Sequence, residues 1–179
     1  LNFFKKNNID YVLLNSDIKN SLKLFHIFND KKKLLILTGG SDVGKKSYES
    51  IRRDNLEKRL IKLALKKNIP ILGICRGAQL FSKINGFDLI KVTKHMKTNH
   101  NVKFKKKFLD YKNKENVNSF HTYAIKKKKK KNFEIIAQDD KSFVELYSYK
   151  KKNLFFMWHP ERNKNYKELK RIIRFYHEN

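Results

Sequence analysis

Cys75, His159 and Glu161 are the residues of this chain whose types and settings could do covalent chemistry. The single cysteine lies in Ile69-Pro70-Ile71-Leu72-Gly73-Ile74-Cys75-Arg76-Gly77-Ala78-Gln79, where an apolar run passes at once into a helix-forming stretch. That layout predicts a strand, a sharp turn and a helix, with a nucleophile at the bend. Gly73 and Gly77 supply the small neighbours that two nearly touching backbone segments require. Cys75 is expected to be strained and exposed at a helix N-terminus, whose partial positive charge favours thiolate over thiol. A thiolate that attacks a carbonyl needs a base to hold its proton and return it to the leaving group. Among six histidines, His159 stands out in Met157-Trp158-His159-Pro160-Glu161. Residues i and i+2 of an extended segment point the same way, so Glu161 could fix the His159 tautomer as a third triad member. Pro160 stiffens the segment between them.

The other candidates are weaker. His26 and His177 read as ordinary helix residues, and His95 and His100 as part of a polar loop able to touch substrate. Residues 39–45, Gly-Gly-Ser-Asp-Val-Gly-Lys, fit the Gly-x4-Gly-Lys of a phosphate-binding loop. That loop needs Ser or Thr next to hold magnesium, and Lys46 occupies the place. Gly39-Gly40 better suits a tight turn at a strand end that offers a backbone N–H to a developing oxyanion. No Cys/His clustering of the structural zinc type is visible, so neither metal nor cofactor is expected.

The elements that must position these residues alternate in βα order, as in an α/β sheet covered on both faces. Asp10 to Leu14 and Leu34 to Thr38 read as buried strands, with a helix over Ile18 to Phe28 between them. Arg53 to Lys67 is a longer amphipathic helix with Leu56, Leu60, Leu63 and Ala64 on one face. Pro70 starts the strand leading to Cys75, and Gly86 ends the helix that follows. Strands are expected at Val117 to His121, Phe133 to Ala137, Phe143 to Tyr149 and Leu154 to Trp158, with Asp139-Asp140 as a turn. Tyr166 to Tyr176 closes the chain as a helix. Leu1 to Asn7 reads as a helix end, as though a first strand and most of that helix were absent.

With 179 residues and 40% hydrophobic content, the expectation is one domain, residues 1–179, with a real core. No apolar run approaches the roughly 20 residues that span a bilayer, and no signal-peptide pattern is seen. One cysteine rules out an internal disulfide and suits a reducing, cytoplasmic setting. The formal charge of +26 invites a nucleic-acid reading. Against it, 36 of the 43 basic residues are lysine, accompanied by 19 asparagines, the bias an AT-rich coding sequence produces. The longest run, Lys126 to Lys131, has no interleaved aromatics for base stacking. The charge reads as solvated surface that can concentrate an anionic substrate.

Together these residues resemble the class I glutamine amidotransferases, in the branch that includes gamma-glutamyl-gamma-aminobutyrate hydrolase (peptidase C26). The matching stretches are Leu37 to Val43, Arg53-Asp54 with its helix, Gly73 to Gln79, Val117 to His121 and Trp158 to Glu161. The resemblance implies a flavodoxin-like three-layer α/β sandwich with a mostly parallel sheet. It implies a triad of Cys75, His159 and Glu161, and an oxyanion hole from the N–H groups of Gly40 and Arg76. It also suggests that Gln79, His121, Thr122 and Tyr123 hold a glutamyl head group. Lys141 departs from the family's usual glycine after Asp140. The implied activity is hydrolysis of gamma-glutamyl amide bonds, without a metal or cofactor. The Val117–His121 and Met157–Arg162 stretches look similar to hydrolases of gamma-glutamyl-CDP-amidate in capsule phosphoramidate synthesis. The alternative is a glutaminase that delivers ammonia to a separate synthase partner; a homodimer is also open.

Overall fold

The computed structural model describes residues 2–15, 17–27 and 33–178. In chain order it gives α1 (Asn2–Lys6), α2 (Ile18–Ile27), β1 (Leu35–Leu37), α3 (Tyr48–Lys66), β2 (Ile71–Ile74) and α4 (Arg76–Ile84). There follow β3 (Leu89–Lys91), β4 (Met96–Phe104), β5 (Lys114–Phe120), β6 (Tyr123–Ile125), β7 (Phe133–Asp139), β8 (Val144–Tyr149) and β9 (Asn153–Phe156). Two 3-10 turns, Pro160–Arg162 and Lys164–Tyr166, lead into α5 (Lys167–Glu178). The strands form one sheet in the order β1-β2-β9-β8-β7-β4-β5, with β3 and β6 branching from β8.

Short, wholly apolar strands are the ones buried on both faces, because they have no polar side to show water. In β2 and β9 every residue is buried. Leu72, Ile74, Leu154 and Phe156 point into one core, closed by Leu169, Ile172 and Ile173 of α5. Ile71 and Phe155 point into the other, closed by Leu56, Leu60 and Ala64 of α3 and by Ala78 and Phe81 of α4. Phe155 stacks on Phe81 at 4.1 Å and on Tyr147 at 4.8 Å between centroids. A Cβ at Gly73 would collide with the Phe155 ring, so glycine is what lets this stack reach the sheet.

The α/β class and the three layers are as expected, but the sheet is mixed rather than mostly parallel. Among the described residues only β1–β2 and β2–β9 pair in parallel. The remaining pairings are antiparallel. Short turns such as the one at Asp140-Lys141 can join only antiparallel neighbours, and the second half of the chain is built from them.

Several boundaries differ from the sequence reading. Residues 10–14 form no strand; Val12 and Leu13 are exposed. Leu1 and Phe28 fall outside the described residues. Helix α3 begins five residues earlier than expected, at Tyr48, where Ser47 Oγ accepts the Ser50 N–H at 3.3 Å. Strands β3, β4 and β6 have no counterpart in the sequence reading. The Met-Lys-Thr-Asn-His-Asn-Val-Lys-Phe of β4 buries fully only Val102 and Phe104, so it carries almost no alternating signal. His100 therefore lies on a strand, and His95 just ahead of it, rather than in a polar loop.

Two features of the basic surface have local explanations. Lys128 Nζ donates to Gly86 O at 3.2 Å, and Lys130 Nζ donates to Asn85 O, so two lysines of the run cap the carbonyl end of α4. At the β7–β8 turn, Asp139 Oδ1 accepts the N–H groups of Lys141 and Phe143 at 3.0 and 2.8 Å. The left-handed residue there is Ser142, with φ 67°, so Lys141 needs no glycine-like conformation.

Candidate active site

Cys75 occupies the junction of β2 and α4 with φ 50° and ψ −99°, the strained elbow that the sequence predicts. Its N–H donates to Phe156 O at 2.7 Å, extending the parallel β2–β9 seam by one bond. A Cβ at Gly77 would strike the Leu37 carbonyl, so only glycine lets α4 start this close to β1. The expectation of an exposed, thiolate-favouring Cys75 is corrected. Cys75 is only 4% exposed, and burial pushes its thiol up to about 12. The Arg76 N–H on the sulfur draws it partly back, while the Glu161 carboxylate adds to the rise. Desolvation outweighs the helix N-terminus here.

His159 follows β9 and is buried, with Nδ1 at 2.6 Å from Glu161 Oε1. An ionised Glu161 fixes the proton on Nδ1 and leaves Nε2 as the basic nitrogen. Asn118 on β5 clamps the His159 backbone from both sides. Its Oδ1 accepts the His159 N–H at 2.9 Å, and its Nδ2 donates to His159 O at 2.9 Å. Phe120 stands edge-on to the imidazole at 5.5 Å, and Arg162 covers the Phe120 ring at 4.0 Å.

The imidazole also reaches the turn after β1, where a Cβ on Gly39 would lie 2.6 Å from His159 Cε1. Strand β2 runs between β1 and β9, about 4.8 Å from each. A ring rooted beyond β9 that touches the turn beyond β1 must cross the end of β2, where Cys75 sits. Gly39, Cys75 and His159 thus follow the carboxyl ends of three adjacent parallel strands, and the Glu161 carboxylate is near enough to act on the Cys75 thiol.

A buried ionic network holds this turn to the elbow. Arg76 is fully enclosed, with Nη2 on Asp54 Oδ1 and Nη1 on Glu57 Oε2, both from α3. Glu57 Oε1 accepts Arg53 Nε at 2.8 Å. Arg53 Nη2 in turn donates to Thr38 O at 3.0 Å and Gly39 O at 3.1 Å. Asp54 Oδ2 accepts the Gly44 N–H at 3.0 Å, which occupies a donor that a phosphate-binding loop would need. Two carboxylates and two guanidiniums balance, so the buried charge is paired throughout. A Cβ on Gly40 would collide with Arg53 Nη1.

The expected head-group residues divide. Gln79 Nε2 donates to Tyr123 O at 2.9 Å, and Thr122 Oγ1 donates to Asp42 Oδ1 at 3.0 Å, which ties the segment to α4 and to the turn after β1. The His121 side chain faces inward instead, with Nε2 at 3.7 Å from Glu145 Oε1. Burial, then the neighbouring His95 and His100, bring His121 down to about 3. Burial also lowers His95 and raises Glu145. At His100 burial is outweighed by Glu145, which leaves that imidazole raised. Asn118, Glu57 and Glu145 do not stand out in the sequence; each acts across a long separation that linear spacing does not reveal.

The model of one protein family, Peptidase C26, matches residues 30–161. The chain belongs to the peptidase C26 family. Over 142 residues it is 35% identical to the gamma-glutamyl-CDP-amidate hydrolase of Campylobacter jejuni. That alignment covers 77% of this chain and 66% of the relative, so the chain spans just under two thirds of that protein's length. A glutamine amidotransferase-like protein of Lactococcus lactis is 32% identical, with 84% of this chain and 73% of that one covered. Among solved structures, a glutamine amidotransferase from Thermotoga maritima superposes with a TM-score of 0.73 at 23% identity, covering 99% of this chain and 75% of that one. A GMP synthase-like protein from Thermoplasma acidophilum gives 0.77 at 19% identity, with 99% and 86% covered. These superpositions establish the glutamine amidotransferase fold for this peptidase C26 chain. Among its described residues, no helix is long and apolar enough to cross a membrane.

Proposed function

We propose that this peptidase C26 member cleaves gamma-glutamyl amides through a thioester on Cys75. The observation that carries the reading is the His159 ring, held by Glu161 on one side and reaching Gly39 across the end of β2 on the other. His159 Nε2 takes the thiol proton as sulfur attacks the gamma-carbonyl, so a buried neutral thiol is compatible with attack. The oxyanion is stabilised by the N–H groups of Gly40 and Arg76. His159 returns the proton to the departing nitrogen as the C–N bond breaks. It then deprotonates water, whose attack breaks the C–S bond, regenerates the thiol and releases glutamate.

Gln79, Thr122 and Tyr123 line the glutamyl end in this reading, and His121 contributes through its backbone. The leaving group is assigned to the side of Phe120, where Arg162 covers that ring and the exposed Lys97 lines the same open pocket. Two cations at that mouth favour an anionic amine donor, in line with the likeness to a gamma-glutamyl-CDP-amidate hydrolase. Incubating the chain with gamma-glutamyl-CDP-amidate, gamma-glutamyl-gamma-aminobutyrate and glutamine, then measuring intact mass, tests this. A gamma-glutamyl adduct that vanishes in Cys75→Ala, with fastest turnover on the phosphorylated substrate, is expected. Turnover of glutamine alone, and only beside a synthase, would overturn the stand-alone hydrolase in favour of an ammonia-delivering glutaminase.

A further inference from the structure

Three imidazoles and a carboxylate meet in the interior where β4, β5 and β8 come together. Glu145 on β8 is fully enclosed. His100 Nε2 lies 3.4 Å from its Oε2, and His121 Nε2 lies 3.7 Å from its Oε1. The His95 ring stands 4.6 Å from that of His100 and 5.0 Å from that of His121. Neither oxygen of Glu145 and neither ring nitrogen of His121 has a hydrogen-bond partner in the protein. A carboxylate enclosed without a partner costs several kcal/mol. Something that satisfies it is therefore called for.

The backbone around the cluster is well fixed. His95 O accepts both Ser119 Oγ at 2.6 Å and the His121 N–H at 3.2 Å, which locks the two histidine-bearing segments together. One ligand atom each from His95, His121 and Glu145 falls within 4.8 Å of the others. We propose that His95, His121 and Glu145 bind a divalent d-block cation, with zinc the best match. Two imidazoles and a carboxylate are zinc ligands at bond lengths of about 2.0–2.2 Å. A tetrahedral site of that size spaces its ligand atoms by about 3.3–3.5 Å, so the widest present gap closes by little more than about 1 Å. A water takes the fourth position. His100 Nε2, 3.4 Å from the second carboxylate oxygen, and Asp139, 3.7 Å from His95 Nε2, stand behind the ligands and would bond to them as the cation draws the cluster in. The cation would pin the His121-Thr122-Tyr123 segment from behind, independently of what the peptidase C26 site hydrolyses. The sequence hides this site because its three ligands are 24 or more positions apart.

The test is the metal content of the intact chain, produced in zinc-supplied medium, passed over a chelating resin and measured by elemental mass spectrometry. About one zinc per chain is expected, and refolding with cobalt should give the visible d–d bands of a tetrahedral site. Glu145→Gln, which keeps shape and removes the anion, and His121→Asn should each cut retained zinc at least about tenfold. His26→Asn, an exposed helix histidine, should leave it unchanged, with Trp158 fluorescence reporting the fold of every variant. A chain that holds no zinc, or one that holds as much after Glu145→Gln and His121→Asn, overturns the proposal. Neither result depends on hydrolysis of a gamma-glutamyl substrate.

Discussion

Alkylation of Cys75 by iodoacetamide should quicken about tenfold per pH unit from 7 to 10, without levelling off, because only thiolate reacts. The thiol titrates near 12, held there by burial. At pH 8 about one molecule in 10,000 then carries a thiolate, against about a quarter for an unperturbed cysteine of pKa about 8.5. Reaction should be slower than in the unfolded chain by about 2,000-fold before any steric shielding is counted. Glu161→Gln removes a carboxylate that raises the thiol, so it should increase the rate at every pH. The chain has one cysteine, so carbamidomethylation read on the Cys75 peptide reports that site apart from any reaction at lysines. The denatured chain provides the reference. A rate that flattens below about pH 9 would mean that thiolate is already formed at rest, and the proton transfer to His159 described above would be wrong.

Other consequences are equally open to measurement. Asn118→Ala removes both bonds that hold the His159 backbone and should lower kcat about 10- to 100-fold with KM little changed; an unaltered kcat would refute the clamp. Gly39→Ala places a methyl against His159 Cε1 and should cost at least about 100-fold in kcat while Tm stays nearly constant. Arg76→Met strands Asp54 and Glu57 and should cost about 3–5 kcal/mol in urea unfolding; a loss below about 1 kcal/mol would show that the carboxylates find other partners. Ser142→Gly relieves a left-handed serine and should add about 0.5–1 kcal/mol, whereas Lys141→Gly should subtract a similar amount.

The parts of the site that lie close together in sequence are legible there, and those assembled by topology are not. The strand-turn-helix around Cys75 announces itself because Gly73 and Gly77 bracket one residue, and the structure needs both glycines for close approach. His159 and Glu161 declare themselves through their spacing, and they meet at 2.6 Å. Asn118 gives no such signal, because a β5 residue 41 positions away reaches His159 only after β5 and the segment beyond β9 are folded together. Glu57 reads as the polar face of an amphipathic helix, although that face is turned inward to Arg76. Strand β4 escapes notice because a half-exposed edge rich in Lys, Asn and His has no hydrophobic rhythm. The protonation state of Cys75 is hidden for a related reason: sequence shows the helix that follows but not the walls that exclude water.

Those walls carry a further consequence. Peroxide attacks sulfur only in its anionic form, and the first product, a sulfenic acid, is the gateway to irreversible oxidation. With burial outweighing the Arg76 N–H on its sulfur, Cys75 is held in the form that peroxide ignores. In the proposed mechanism the thiol gives up its proton only as it attacks, so burial would keep Cys75 inert towards oxidants between turnovers.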